Sequence, residues 1–418
     1  MKTKAVRFYG KNDLRLEEFE LPEVHDDAVI MKVISDSVCM STYKESKKGT
    51  DHVRVPNDIA ENPIIIGHEF SGVIVKAGKN LKERFPEGTM VAAYPPGLGT
   101  SGDLGYAKTT IGGDSTYSYL EGNDLVNWHL VPEKYPSFYE VSATEPLFCV
   151  ISGYNSMMHQ IDGTHTVVMG PKENGNVIIM GGCGPMGIVA TDYALVMEPK
   201  PKRVVVTDVN QTRIDRVKSM IRPEDAAKNG IELIFVNTKD LEDEKQYLLD
   251  LTDGEGYDDV MVFAPVRSVA ETGNRIMAKN GCMNLFAGPV DPNFSADINL
   301  YDCHYRGTKI LGSSGGTRED YMFALKIMKE GKVNLAHMLT HIGGLDSVIE
   351  TTKILPSIPG GKKLIYTQIS LPLTAIDDFA EKGKTDPLFA KLAEICARYG
   401  GLWNREAEDY LLEHAPKI

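Results

Sequence analysis

The chain has 418 residues, a length that predicts two or three domains, and its 42% hydrophobic and 25% charged residues are typical of a globular protein. Its formal net charge of -13 argues against nucleic acid or an anionic membrane as the main partner, although a local basic cluster can still bind a phosphorylated small molecule. The N-terminus lacks the apolar core of a signal peptide, and no run approaches the roughly 18 apolar residues of a membrane span. We therefore expect a cytoplasmic protein. Its six scattered cysteines form no C-x-x-C pair, so a disulfide framework is not expected.

Residues 1–150 predict a β-rich domain made of antiparallel strands. Apolar and polar residues alternate in short segments such as 4–9 and 28–35, with charged turns between them. Further segments of this kind lie around 72–76 and 89–93, and no stretch shows helical periodicity of any length. We therefore expect a domain made mainly of strands in this region.

From about residue 152 the pattern changes to helix and then to alternating strands and helices. Six apolar segments predict the strands of a doubly wound parallel sheet, 177–180, 204–207, 233–236, 259–263, 282–287 and 309–312. We expect an α/β protein in which residues 152–314 form a nucleotide-binding domain of the Rossmann type. Residues 1–151 and 315–418 then form the other domain, which ends in two helical stretches after Pro387.

A glycine-rich turn follows the first of these strands. Gly182, Gly184 and Gly187 fit the pattern G-x-G-x-x-G, with Pro185 and Met186 between the second and third glycines. Glycines let the backbone turn sharply and approach a pyrophosphate at a helix N-terminus. The pattern predicts a dinucleotide site, whereas in the alternative interpretation the glycines only make a tight turn.

The next predicted strand ends in an acid that bears on the choice of cofactor. Asp208 lies about 20 residues after the last glycine, where a carboxylate would bind the ribose 2′-hydroxyl of NAD. Arg213 lies five residues further on and would accept a 2′-phosphate if the acid turned away. We therefore expect NAD(H) rather than NADP(H), unless Asp208 only caps a loop.

The first domain contains residues with metal-binding chemistry. Cys39, His68, Glu69 and Glu145 offer the thiolate, imidazole and carboxylate ligands that Zn²⁺ accepts. Their spacing is long-range, so the sequence alone does not show that they converge. The alternative is a core histidine, a buried free cysteine and two surface acids.

These residues together give the chain a resemblance to the zinc-dependent medium-chain dehydrogenases. Cys39 followed by Ser41, the triplet Gly67-His68-Glu69 and a third ligand at Glu145 match the polyol branch of that family. The resemblance covers the chain to about residue 370 and implies a GroES-like fold for the β-rich catalytic domain. Within the branch the chain is most similar to the L-sorbose 1-phosphate reductases, in segments 184–187, 192–195, 355–366 and 401–404.

The resemblance implies an oxidoreductase of carbohydrate metabolism that reduces L-sorbose 1-phosphate to D-glucitol 6-phosphate with NADH. Zinc would polarise the ketone oxygen, the nicotinamide would deliver hydride, and Ser41 would return a proton. A serine bonded only to the backbone is the alternative for Ser41. In relatives the acid equivalent to Glu69 either binds the metal or lies just behind it. Relatives assemble as dimers or tetramers, so we also expect a homo-oligomer.

Two departures from the family pattern change these expectations. Most relatives carry four cysteines for a structural zinc in the region that here runs from Tyr94 to Tyr106, and this region contains none. We therefore expect one catalytic zinc per subunit and no structural zinc. The second departure is Thr42-Tyr43-Lys44, where relatives often have Asp-x-His, so the histidine that would pass protons to solvent is missing.

A phosphorylated substrate requires cations near the cleft, because arginine gives bidentate hydrogen bonds to phosphate and lysine a point charge. Arg306 matches a substrate-contacting arginine of polyol relatives, and Lys44 follows the Cys39 motif; we expect both to contact substrate. A basic stretch of the same region contains Lys44, Lys47, Lys48, His52 and Arg54. The alternative is that these side chains only solvate the surface.

Two other functions stay open at this point. The first is a dehydrogenase of an unphosphorylated polyol or of another sugar phosphate, of the sorbitol or galactitol 1-phosphate type. The second, from a different class, is a non-catalytic nucleotide-binding protein with the same fold. The joint presence of Cys39, His68, Glu69 and Glu145 argues against the second, because a binding module needs no open metal site.

Overall fold

The structure, a computed structural model, describes residues 1–95, 104–122, 125 and 130–418, which divide into two compact units. The first unit contains Met1–Glu145 and Leu339–Ile418, and the second contains Pro146–Met338. The second boundary lies later than the predicted 314/315, because the helix Arg318–Lys329 packs within the second unit. The ring of Tyr321 lies 5.3 Å from that of Phe148.

The described strands and helices are numbered in chain order. The strands are β1 (Lys2–Gly10), β2 (Asp13–Glu20), β3 (Ala28–Val38), β4 (Ile64–Ile65), β5 (Ser71–Ala77), β6 (Met90–Ala93), β7 (Tyr117–Glu121), β8 (Leu130–Pro132), β9 (Met158–Gln160), β10 (Val167–Met169), β11 (Asn176–Met180), β12 (Arg203–Asp208), β13 (Glu232–Asn237), β14 (Tyr257–Val262), β15 (Met277–Leu285), β16 (Lys309–Gly312), β17 (Leu339–Gly344), β18 (Lys362–Tyr366) and β19 (Thr374–Ala375). The α-helices are α1 (Met40–Lys48), α2 (Phe138–Ser142), α3 (Thr144–Asn155), α4 (Pro185–Ala194), α5 (Gln211–Met220), α6 (Pro223–Lys228), α7 (Glu244–Asp250), α8 (Arg267–Arg275), α9 (Leu300–Tyr305), α10 (Arg318–Lys329), α11 (Val348–Ile354), α12 (Phe379–Lys382), α13 (Pro387–Arg398) and α14 (Arg405–His414).

The first unit is built on a mixed sheet around β3, which pairs antiparallel with β5, β7 and β18, while β17 and β18 pair in parallel. Alternate residues Val29, Met31 and Val33 of β3 enter one hydrophobic cluster, as the alternating pattern of the sequence predicts. A smaller sheet has the order β2-β1-β4. Because β18 comes from the C-terminal part of the chain, residues near positions 37 and 364 are neighbours in one sheet.

Helix α1 lies in the β-rich part of the chain, where the sequence shows no helical periodicity. It begins directly after Cys39, and α2 and α3 also begin before residue 150. The buried positions of α1 are Thr42, Glu45 and Ser46. Because these buried residues are polar, α1 has no apolar stripe for a sequence pattern to detect.

The second unit contains the predicted six-stranded parallel sheet, in the order β13-β12-β11-β14-β15-β16. Strands β11 and β14 are buried along their whole length, as expected for a sheet covered by helices on both faces. The chain order reverses between β11 and β14, and ligands of such sheets bind at the carboxyl ends of the strands beside this reversal. None of the described helices combines the length and apolar character needed to cross a lipid bilayer.

Candidate functional site

Three predicted metal ligands come together in the first unit. Cys39 lies between the end of β3 and the start of α1, while His68 and Glu69 lie between β4 and β5. Their ligand atoms all lie within 4.8 Å of one another, and both His68 and Glu69 are buried. We refer to these three residues as the metal cluster.

Ser41 places its hydroxyl among these ligand atoms. The hydroxyl donates a hydrogen bond to Cys39 Sγ at 2.9 Å and lies 3.3 Å from His68 Nε2. Because Ser41 is in the first turn of α1, the same short segment positions the thiol and the hydroxyl. Its side chain also hydrogen-bonds with Tyr106, so the hydroxyl lies beside the metal cluster, where the prediction places it.

Glu69 is held by several neighbours inside the unit. One carboxylate oxygen accepts from the ammonium of Lys362 and the other from the hydroxyl of Ser37. Its backbone N–H donates to Asp36 Oδ1 at 3.0 Å. Burial raises the pKa of Glu69, but attraction to Lys362 and His68 together with the hydrogen bonds from Lys362 and Ser37 lowers it by more, so the pKa lies below its ordinary value. Glu69 is therefore a carboxylate in an ion pair with Lys362.

Glu145 begins α3 at the edge of the same group. It is 8% exposed, and burial together with repulsion from Glu69 raises its pKa to about 8. The charge of His68 lowers the pKa of Glu145 and that of Cys39 raises it, so Glu145 lies close to both residues. Its ligand atoms do not belong to the set that lies within 4.8 Å, so the structure places this fourth predicted ligand next to the metal cluster rather than inside it.

The donor set fits a divalent zinc ion. Burial raises the pKa of the Cys39 thiol, and Glu69 raises it further. Together with Glu145, the site holds three groups that carry negative charge when they act as ligands. A buried cation would stabilise all three anionic forms, and thiolate, imidazole and carboxylate are zinc ligands.

Tyr106 and Lys362 contact this site, and neither is identified from the sequence as a site residue. The Tyr106 hydroxyl lies 3.3 Å from His68 Nε2, and the two rings are 4.8 Å apart. Lys362 approaches Glu69 because β18 pairs with β3. Neither residue lies in a motif with a chemical signature. The only available signal was Lys362 in the apolar segment 355–366, which carries the subfamily resemblance but assigns no role to the lysine.

The glycine-rich turn of the second unit has the predicted arrangement. A Cβ atom on Gly187 would lie 2.5 Å from the Gly182 backbone, and one on Gly182 would lie 2.6 Å from Val206 Cγ1. Gly184 precedes α4, and Pro185 occupies the first turn of that helix. The turn therefore brings the N-terminus of α4, where Met186 also lies, to the carboxyl end of β11, as a pyrophosphate site requires.

Asp208 ends β12 beside this turn. Its carboxylate accepts hydrogen bonds from the backbone N–H groups of Cys183 at 3.2 Å and Asn210 at 3.0 Å. Arg213 lies in the first turn of α5, where its backbone N–H donates to Asn210 Oδ1 at 3.1 Å. The charge of Asp208 raises the pKa of the Cys183 thiol and the charge of Arg213 lowers it. Both predicted cofactor residues therefore lie beside the turn.

The two predicted substrate cations belong to different units. Lys44 is half-buried in α1, near Cys39, whose charge acts on it. Arg306 follows α9 in the second unit, where its guanidinium donates to the Met277 carbonyl at 2.9 Å and lies 3.8 Å from Asp302. It lines a cavity of about 620 Å³ that also contains Lys245 and Arg275. The structure therefore associates Lys44 with the metal cluster and Arg306 with a separate cavity of its own unit.

Comparison with known proteins gives matches along almost the whole chain. The model of the alcohol dehydrogenase GroES-like domain matches residues 25–129, and that of the zinc-binding dehydrogenases matches residues 185–330. Mannitol-1-phosphate 5-dehydrogenase of Aliivibrio fischeri is 42% identical over 412 residues, which cover 98% of this chain and 97% of the relative. L-sorbose 1-phosphate reductase of Klebsiella pneumoniae is 40% identical over 418 residues, which cover 100% of this chain and 98% of the relative.

A solved structure supports the fold independently of these names. The crystal structure of 2R,3R-butanediol dehydrogenase from Bacillus subtilis superposes with a TM-score of 0.70 at 22% sequence identity. The match covers 87% of this chain and 99% of that protein. The predicted combination of a GroES-like domain and a Rossmann-type domain is therefore confirmed.

Proposed function

We propose, on the premise that the chain belongs to the zinc-dependent medium-chain dehydrogenase family, that it transfers hydride between NAD(H) and a ketose phosphate or polyol phosphate. The first candidate reaction is the reduction of L-sorbose 1-phosphate to D-glucitol 6-phosphate. The observation that carries the proposal is the metal cluster with the Ser41 hydroxyl beside Cys39 and His68. A zinc-dependent oxidoreductase needs this combination, whereas a non-catalytic nucleotide-binding protein does not.

The phosphorylated substrate is supported by the names of two relatives. Both are named for a sugar phosphate or a polyol phosphate, and each aligns over nearly the whole chain. Oxidation of mannitol 1-phosphate at carbon 5 is therefore our second candidate. An unphosphorylated polyol, or a sorbitol or galactitol 1-phosphate, is the remaining alternative within this family.

Cys39, His68, Glu69 and Glu145 would hold the zinc ion, which supplies a Lewis acid for the carbonyl oxygen. NADH supplies the hydride. The hydroxyl of Ser41 can donate to a substrate oxygen by turning from Cys39 Sγ, because a hydroxyl rotates freely about its C–O bond. The buried surroundings of His68 and Glu69 exclude water, which strengthens the electrostatic interactions of the site.

The ion pair with Lys362 gives Glu69 a defined alternative to metal binding. Lys362 and Ser37 together engage both carboxylate oxygens. Glu69 would therefore be held in place by Lys362 and Ser37 whether or not it joins Cys39, His68 and Glu145 in holding the metal. We propose that this carboxylate, together with Ser41, adjusts the site when substrate enters.

For the cofactors, we propose NAD(H) and one zinc ion per subunit. Asp208 supports NAD(H), because a carboxylate beside the glycine-rich turn repels a 2′-phosphate, while Arg213 keeps NADP(H) as the alternative. The absence of a structural zinc is proposed from the cysteine-free segment between Tyr94 and Tyr106, of which residues 96–103 lie outside the described part of the chain. We also propose a homo-oligomer, by analogy with the family.

The test of this function is the oxidation of NADH by the purified, zinc-loaded protein, followed by absorbance. L-sorbose 1-phosphate and L-sorbose are compared at equal concentration, and D-mannitol 1-phosphate is assayed with NAD⁺. We expect turnover of a phosphorylated substrate and its loss after treatment with a chelator. Equal turnover of L-sorbose and its phosphate would refute the phosphate specificity, and activity that survives complete zinc removal would refute the zinc mechanism.

A further inference from the structure

Four cationic or ionisable side chains lie close to one another beside the metal cluster. Lys44 and Lys48 belong to α1, and His52 and Arg54 follow this helix; we call these four residues the cation row. All four side chains are half-buried. In a chain with a net charge of -13, such a concentration of positive charge is a local exception.

The helix itself aligns the first part of the row with the reacting end of the site. Ser41, Lys44 and Lys48 are spaced by three and four residues, so they lie on one face of α1. Each turn advances about 5.4 Å, which places Lys44 roughly one turn and Lys48 roughly two turns from Ser41. In L-sorbose 1-phosphate the phosphate is on the carbon next to the ketone, so both lysine side chains would have to reach back toward Ser41, which is the direction in which long helical side chains lean.

Contacts with Tyr106 connect the other end of the row to the same site. The Arg54 guanidinium carbon lies 4.8 Å from the centre of the Tyr106 ring, and the His52 ring lies 6.2 Å from it. The His68 ring lies 4.8 Å from the same tyrosine. One aromatic side chain therefore contacts both a predicted metal ligand and the far end of the cation row.

The members of the row lie within electrostatic reach of each other. Burial lowers the pKa of His52, and the charges of Arg54, Lys48 and Lys44 lower it further, in that order. The backbone N–H of Arg54 donates to His52 Nδ1 at 3.3 Å, which holds the imidazole against the Arg54 backbone. The three permanent cations therefore act on one small region of the surface.

We propose that the cation row is the phosphate-binding subsite of the substrate, and this proposal rests on the proposed oxidoreductase function. Arg54 provides the planar guanidinium that binds two phosphate oxygens at once, and Lys44 and Lys48 provide point charges. The row selects a phosphomonoester on a short polyol or ketose chain whose reacting carbon lies near Ser41. Charge-assisted bonds to phosphate would then separate phosphorylated from unphosphorylated substrates of the same carbon skeleton.

The proposal predicts that Arg54 and Lys48 make the enzyme prefer a phosphorylated substrate to the unphosphorylated one. The test compares kcat/KM for D-glucitol 6-phosphate and D-glucitol in the zinc-loaded wild type and in the variants Arg54→Gln and Lys48→Gln. Each substitution should lower kcat/KM for the phosphate ester about 10- to 100-fold, because each removes a charge-assisted hydrogen bond, and should change the value for D-glucitol less than about 3-fold.

Lys47→Gln is the matched control. Lys47 lies in the same helix, but its ammonium lies 5.4 Å from the Tyr43 ring and is not among the charges that act on His52. It should leave both kcat/KM values unchanged. Arg306→Gln tests the separate arginine of the second unit. If Arg306→Gln removes the preference for phosphate while the cation-row variants behave like Lys47→Gln, the proposal is overturned.

A binding experiment without turnover separates this proposal from the proposed function. Line broadening of inorganic phosphate in ³¹P NMR is measured with the wild type, Arg54→Gln and Lys47→Gln. If the wild type reduces or oxidises no sugar phosphate but broadens the phosphate signal, and Arg54→Gln does not, the proposed function fails while the anion subsite stands. If all three proteins behave alike in both experiments, the cation row is not the subsite, whatever the reaction.

Discussion

The metal cluster and the glycine-rich turn meet different physical requirements. The turn consists of residues close together in sequence, and it needs space, since a Cβ on Gly187 would lie 2.5 Å from the Gly182 backbone. The metal cluster collects Cys39, His68 and Glu69 from separate segments, and it needs charge balance, which Lys362 supplies from a strand near the C-terminal end of the chain. A local site is therefore sensitive to volume, whereas a site assembled over long range is sensitive to charge and to the elements that support it.

The C-terminal segment illustrates this dependence on remote support. Glu408 of α14 accepts hydrogen bonds from the backbone N–H groups of Phe138 and Tyr139, each at 2.8 Å, at the start of α2. It also accepts from the Tyr366 hydroxyl at 2.8 Å. Helix α2 leads directly into α3 and Glu145, and Tyr366 ends the strand that carries Lys362. The buried carboxyl group of Glu408 thus connects α2, which precedes Glu145, with β18, which carries Lys362.

The largest effect should come from removing a metal ligand. Cys39→Ser should lose bound zinc and lower kcat by about 1,000-fold or more, because the Lewis acid supplies several kcal/mol of stabilisation to the reacting oxygen. Affinity for NADH should change little, because the glycine-rich turn does not depend on the charge balance of the metal cluster. Zinc content is measured by atomic emission and NADH affinity by fluorescence titration, with Cys303→Ser as the control. Retention of a full equivalent of zinc by Cys39→Ser would contradict the assigned ligand.

The next effect concerns space in the glycine-rich turn. Gly187→Ala should destabilise the second unit by about 2 kcal/mol and weaken NADH binding, because its Cβ meets backbone atoms that cannot move aside. Gly184→Ala should cost less stability, since its Cβ would meet nothing nearer than 4.0 Å. Unfolding by urea and NADH titration check both variants, and zinc content should stay at the wild-type level. Equal loss of stability in the two variants would show that the turn does not depend on close backbone approach.

The last prediction concerns Glu408 and pH. Burial raises the pKa of Glu408 to about 7, although its hydrogen-bond donors lower it. The folded state therefore binds a proton that the unfolded state, with a pKa near 4.5, has already released, so this contribution to stability is lost as pH rises between about 4.5 and 7. The shift corresponds to about 3 kcal/mol.

Glu408→Gln should remove this dependence, because an amide does not titrate. The free energy of unfolding is measured at pH 5 and pH 8 for the zinc-loaded wild type, Glu408→Gln and the exposed control Glu413→Gln. We expect the difference in the free energy of unfolding between the wild type and Glu408→Gln to change between pH 5 and pH 8. Glu413→Gln should show the same pH dependence as the wild type. A constant difference would show that Glu408 does not titrate in this range. Faster loss of zinc to a chelator in Glu408→Gln would in addition support its role in positioning α2 and α3.

The fold was predictable to a large extent because its signals are local. The six strands of the parallel sheet appear as short apolar segments, and the turn at 182–187 has a pattern of its own. Helix α1 was not predictable, because its buried side chains are polar and leave no apolar period. The approach of Tyr106 to His68 and of Lys362 to Glu69 was not predictable either, since no spacing rule connects these residues.

The sequence by itself determined the types of residues that the chemistry needs: a thiol, an imidazole and two carboxylates in one domain, and the glycines with Asp208 in the other. Local hydrogen bonding and hydrophobic periodicity act over a few residues, so they are readable from the chain. Only the tertiary structure decided that Cys39, His68 and Glu69 converge and that Lys362 neutralises Glu69. Pairing of β18 with β3 creates that charge balance, and strand pairing between distant segments depends on the packing of the whole unit.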